Sequence, residues 1–146
     1  MASFVDELRD VPNQEQMKRG MEAQRRLKYE RDLEDSIINS LMECFEYDCR
    51  EAAKCGKHSI DYKPPKVRRG YTGPSDCSAA IQYSDRLTFQ IAARLHAREK
   101  AESLIPRINE RLDSMGFQSY SVSTIAFSYM HVYTCHYIGF RIKASW

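Results

Sequence analysis

The sequence lacks every signature that would name a reaction. It has no glycine-rich loop leading from a strand into a helix with a lysine to cradle phosphate, no paired-cysteine zinc knuckle, and no cysteine set in a catalytic-family motif. It also lacks charge of one sign. Twenty-two Lys and Arg against twenty Asp and Glu leave +2, too little for a global field that steers a protein onto nucleic acid, so any such binding has to come from a local patch. No repeat runs at a period of twenty to fifty residues, and no segment is low in complexity. The opening MASFVDELRDVPNQEQ places acids where a secretory signal needs cations and an apolar run, so export by that route is not expected. Five cysteines, an odd number, then read as free thiols in a reducing cytoplasm rather than as a disulfide framework.

Two further absences mark out segments. From Gln14 to about Cys55 there is no proline and only one glycine, and Glu, Gln, Met, Arg, Leu and Lys dominate, which predicts a long helix with a break at Gly20. From Gln118 to Phe140 there is no Asp, Glu, Lys or Arg, a length that could cross a bilayer as a helix. Its Ser119, Ser121, Ser123, Thr124, Ser128, His131, Thr134 and His136 would be costly in hydrocarbon, and the β-branched and aromatic content suits two strands. No membrane partner is expected.

What is present is organised around Tyr129–Lys143. Even positions Met130, Val132, Thr134, His136, Ile138, Phe140 and Ile142 are mostly aliphatic. Odd positions Tyr129, His131, Tyr133, Cys135, Tyr137, Arg141 and Lys143 form a polar and aromatic row. A period of two predicts a strand with one face in the core and one free, and Gly139 reads as a bulge within it. Phe117–Phe127 pairs with it as a hairpin. Arg86–Ala93 alternates as another strand, and Ala97, Ala101, Leu104, Ile105, Ile108, Leu112 and Met115 form a helical stripe closed by Gly116, with Pro106 expected to kink or break it. His58–Tyr62 reads as a short strand, and Ala80–Tyr83 is weakly strand-like. In the long helix, Leu33, Ile37, Ile38, Leu41, Cys44, Phe45, Cys49 and Ala52 make a broad stripe that needs a core, and Gly56 stops it.

The chain therefore reads as one domain in three parts: an N-terminal arm over 1–13 broken by Val11-Pro12-Asn13, a long helix over 14–56, and an α+β body over 57–146 with a basic loop at 63–77. The fold class is α+β, a long helix followed by a β-α-β-β unit, with helices on one face of a two-layer antiparallel sheet. That element order is the one a circularly permuted ferredoxin-like unit would have, with a helix-swapped dimer as the runner-up.

Three kinds of site are weighed. Cys44, Cys49, Cys55 and His58 lie near each other but match no standard zinc spacing, so neither metal nor cofactor is expected. Cys135 and His136 are neighbours on a strand and face opposite ways, so no catalytic thiol is assigned. Contact surfaces fare better. Tyr129, His131, Tyr133, Tyr137, Arg141 and Lys143 are the candidate partner-binding residues, Lys63, Lys66, Arg68 and Arg69 a basic loop, and Met17, Met21 and Leu27 a thin stripe for self-association. The leading reading is a small non-catalytic interaction protein that binds a macromolecule or a second copy of itself, as a regulatory, inhibitory or assembly component of phage or mobile-element type. The alternatives are a nucleic-acid-binding module and an unrecognised small enzyme. Gly139-Phe140-Arg141-Ile142 is similar to the glycine-phenylalanine core of RNA-recognition sheets, provided a bulge at Gly139 turns Phe140 to the free face.

Overall fold

The computed structural model describes residues 3–66, 70–84, 90–130 and 133–146. In chain order the elements are α1 (Phe4–Lys54), β1 (Ser59–Tyr62), a single 3₁₀ turn (Asp76–Ala79), β2 (Ile81–Tyr83), α2 (Gln90–Met115), β3 (Ser119–Met130) and β4 (Thr134–Ser145). The chain divides into two units, residues 1–35 and residues 36–146, and α1 contributes to both.

In the first unit the helix begins at Phe4, well before the expected Gln14. Ser3 is the reason. Its hydroxyl accepts from the Asp6 backbone N–H at 3.3 Å, while the Asp6 carboxylate accepts from the Ser3 backbone N–H, also at 3.3 Å. This reciprocal arrangement satisfies donors that a helix start otherwise leaves orphaned. Pro12 lies inside the helix rather than ending an arm, and Gly20 does not interrupt it. Every residue from Ser3 to Leu33 is exposed, so water can take up the carbonyl that Pro12 leaves without a partner.

The second unit holds the core. From α1 it takes Ile37, Ile38, Leu41, Met42, Cys44 and Phe45, and from α2 Ala97, Ala101, Leu104, Ile108 and Leu112. Both stripes recur every three or four residues, the spacing that keeps side chains on one helical face. They pack against Tyr62, Ile138, Phe140, Ile142 and Ala144 of the sheet. The predicted parity of the last strand therefore holds over β4. α1 ends in a Schellman motif, with Lys57 N–H bonded to the Ala52 carbonyl and Gly56 N–H to that of Ala53, both at 3.0 Å. Gly56 is left-handed at φ 79°, a conformation that costs glycine little. α2 starts at Gln90 and passes through Pro106 without a break. Gln90–Ala93 is thus helix rather than the end of a strand, and residues 86–89 of that predicted strand lie outside the described residues. Ile91 is 87% exposed, so the alternation there reflects no burial.

All pairing in the sheet is antiparallel and centres on β4. β3 pairs with it along its whole length, from Ser119↔Ser145 to Met130↔Thr134 in one unbroken register. On its other edge β1 pairs with residues 142–145 and β2 with residues 136–138. β1 and β2 run the same way on the same edge, so they are halves of one strand interrupted by residues 63–80. With β4 lying between β2 and β3, the run β2-α2-β3-β4 is a β-α-β-β unit, but its first strand is the weakly strand-like Ile81–Tyr83 rather than the expected Arg86–Ala93. A permuted ferredoxin-like sheet would instead place β1 outside β2.

The unbroken register also means that Gly139 is no bulge; it faces Ile125 across the ladder. Its role is close packing. A Cβ at Gly139 would stand 2.8 Å from the Phe127 ring and 3.2 Å from Pro64. Phe140 consequently stays on the core face at 1% exposure, and the resemblance to an RNA-recognition sheet fails at the ring that would have to stack.

This packing sets two expectations for urea unfolding. Ile138→Ala and Ile142→Ala should each cost about 2–5 kcal/mol by opening a cavity under the helices. Gly139→Ala should cost about 1–3 kcal/mol by crowding Phe127. A neutral result at Gly139 would contradict the close approach.

Candidate interaction surfaces

The sheet face opposite the helices carries the odd residues of β4 and β3. Arg141 grips Asp61 of β1 with two bonds, Nε to Oδ1 at 2.9 Å and Nη2 to Oδ2 at 2.7 Å. The hydrogen bond from Arg141 holds the Asp61 carboxyl below its ordinary range. Phe127 and Tyr137 face each other across the ladder and stack, with centroids 5.2 Å apart and planes 16° from parallel. Burial pushes the Tyr137 phenol up to about 12, and the thiols of Cys77 and Cys135 beside it add to the shift.

The predicted partner-binding residues therefore separate. Tyr129, Tyr133 and Lys143 are exposed, Tyr133 at 72%. Tyr137 is half-buried in its stack, and Arg141 is engaged with Asp61. His131 lies outside the described residues, as do Arg68 and Arg69 of the basic loop. Lys63 is exposed.

Lys66 has a different place from the one its loop position suggests. Its ammonium stands 2.6 Å from Asp48 Oδ2 of α1, with both side chains about nine-tenths buried. The contact is a close, buried ion pair. The Lys66 backbone N–H donates to Asp76 Oδ2, and the Tyr62 hydroxyl donates to Asp76 Oδ1 at 2.6 Å. Cys44 directs its thiol at the Ser75 carbonyl, 3.5 Å away, and Tyr71 bonds the Pro74 carbonyl at 3.1 Å. The Lys66–Asp48, Cys44–Ser75 and Tyr62–Asp76 contacts tie the interrupting segment to α1 and β1.

The same burial keeps the nearby Tyr62 phenol and the Cys44 and Cys49 thiols protonated. The Tyr62 phenol is raised by burial first and then by the Asp76 carboxylate. The Cys44 thiol is pushed up to about 12 by the same two causes, and Cys49 to about 12 by burial and Asp48. Thiols held protonated are poor nucleophiles and poor metal ligands. Lys66 borders two clefts, one of about 370 Å³ shared with Asp48, Glu51, Lys57 and Asp61, the other of about 320 Å³ walled by Tyr71, Pro74, Phe127 and Tyr129.

The third surface is the exposed helix of the first unit. Met17, Met21 and Leu27 are 70%, 56% and 62% exposed. At 100° per residue Met17 and Met21 share a face, while Leu27 lies about a third of a turn away from Met21. Among the described residues no helix is long and apolar enough to cross a membrane. Comparison with family models, curated proteins and solved structures finds no match to this chain.

Breaking the Lys66–Asp48 pair should be costly, since it strands a buried charge. Lys66→Met should lose about 3–5 kcal/mol in urea unfolding, and adding Asp48→Leu should recover much of it. The opposite order, with the double variant worse than the single, would contradict the pairing.

Stability should also fall above about pH 9. The unfolded chain can release the protons of Cys44, Cys49 and Tyr62 near their ordinary values, while the folded chain holds them to higher pH, so the native state binds more protons there. The contribution is fully present below the unfolded pKa values and is lost as pH rises toward the folded ones. Urea titrations from pH 7 to 11 should show the decline, and Tyr62→Phe should flatten it.

Proposed function

We propose that this chain is a small non-catalytic interaction protein that binds a macromolecular partner, as a regulatory, inhibitory or assembly component. The observation that carries the reading is the helix from Phe4 to Leu33, exposed at every residue. Helices in water draw most of their stability from burying an apolar face. This one also contains Pro12 and Gly20, which together cost about 4 kcal/mol relative to alanine. Phe4, Val5, Leu8 and Val11 stand exposed near its start. A partner that covers such a helix supplies what its own residues do not.

Nucleic acid is the second reading, supported by the exposed Tyr129 and Tyr133 near the paired Met130 and Thr134 ends of β3 and β4, together with Lys143 and Lys63. It is weaker than the sequence suggests because two of the counted cations are already paired, Lys66 with Asp48 in the interior and Arg141 with Asp61 at the surface. The enzyme reading has the raised, protonated thiols of Cys44 and Cys49 against it.

The test is recovery of the tagged full chain from its own host, with and without nuclease. A stoichiometric protein that survives nuclease supports the first reading, and material lost with nuclease supports the second. Recovery of the chain alone, as a monomer, would contradict both. On the sheet face, Tyr133→Ala and Tyr129→Ala should weaken that partner by about 1–3 kcal/mol each while leaving the thermal melt unchanged.

A further inference from the structure

The helix of the first unit carries a seam that the methionines alone do not reveal. Glu7, Asp10, Gln14, Met17, Met21, Gln24, Lys28 and Arg31 follow one another at alternating spacings of three and four residues, the repeat that keeps a coiled-coil seam on one side of a helix. All eight are exposed, and Gln14 Nε2 donates to Asp10 Oδ2 at 2.8 Å along that face.

The order of side chains is palindromic in chemistry. Two acids and a glutamine lead to a pair of methionines, and a glutamine and two bases follow. Laid antiparallel on itself, with the two-fold axis between Met17 and Met21, the seam sets Glu7 against Arg31, Asp10 against Lys28, Gln14 against Gln24 and Met17 against Met21. Laid parallel, it sets acid on acid and base on base, which repel.

We propose that the occupant of this face is a second copy of the same chain, paired antiparallel across residues 7–31. This rests on the reading of the helix as a contact surface and names its partner. Gly20 is a separate indication. It sits inside the helix, and a Cβ there would meet nothing within 4 Å, so the chain's own fold gives no reason for glycine. It borders the seam beside the axis, where the two backbones come closest and the lack of a Cβ lets them approach. Lys18 flanks the opposite border near its own copy, with a stem long enough to carry the ammonium to water.

Sedimentation equilibrium of the full 17.0 kDa chain tests the pairing, with circular dichroism confirming that each variant keeps its helix. Wild type should populate a dimer at tens of micromolar, and Met17→Glu with Met21→Glu should weaken it by more than about tenfold. Glu7→Lys with Asp10→Lys should weaken it similarly, and adding Lys28→Glu with Arg31→Glu to that same chain should restore it. Restoration distinguishes antiparallel from parallel pairing, because in a parallel pair both sets of charges oppose themselves before and after the exchange. A wild-type monomer throughout, a dimer indifferent to the methionines, or a fourfold charge variant that stays dissociated would each overturn the proposal. A monomer that still recovers a different protein from its host would overturn the self-pairing alone and leave the proposed function standing.

Discussion

β4 is the constraint on which the second unit depends. It is hydrogen-bonded on both edges, to β3 along its length and to β1 and β2 in turn. Its even residues from Ile138 to Ala144 lie in the core with the helices, and its odd residues supply Tyr137 to the aromatic stack and Arg141 to the Asp61 pair. Each face thus fixes a different partner, and a one-residue slip would exchange them. Gly139 marks how tightly the arrangement closes, since Phe127 and Pro64 approach it at distances that a side chain would not permit.

The interruption of the edge strand follows from the same strand. β1 and β2 both align on β4, and the described residues between them, 63–66 and 70–80, lie outside the sheet. That excursion is held by polar contacts in a setting where polar groups are costly unless paired: Lys66 to Asp48, Tyr62 and Lys66 to Asp76, Cys44 to Ser75. Residues read as a solvated basic loop thus include part of the interior. This changes the balance between partners, because the cations available to a nucleic acid are fewer than the sequence counts while the exposed apolar and aromatic side chains remain.

Much of this was legible because it is periodic. The parity of β4, the stripes of the second half of α1 and of α2, and the glycine stops at Gly56 and Gly116 all follow from local spacing. What was missed is either non-local or a single local exception. Pro12 suggested a break, but the Ser3–Asp6 cap starts the helix earlier, and an exposed proline forfeits bonding that water replaces. The alternation over Arg86–Ala93 suggested a strand, yet its described part, Gln90–Ala93, is helix with Ile91 exposed. Lys66 and Asp48 are joined across eighteen positions with no pattern between them, so charge alone could not show that one would bury the other. The antiparallel pairing proposed for residues 7–31 needs a helix that continues through Pro12 and Gly20, since a break at either would place its two halves out of phase.

The central claim is that the helix over residues 4–35 owes its stability to a second chain. The most direct measurement is amide hydrogen exchange of the full protein, followed residue by residue over a wide dilution series. The account predicts that amides from about Glu7 to Arg31 become protected as concentration rises and lose protection on dilution, while those of β4 stay protected throughout. Protection of the helix that does not change with dilution, or its absence at every concentration together with a bound partner elsewhere on the chain, would contradict it.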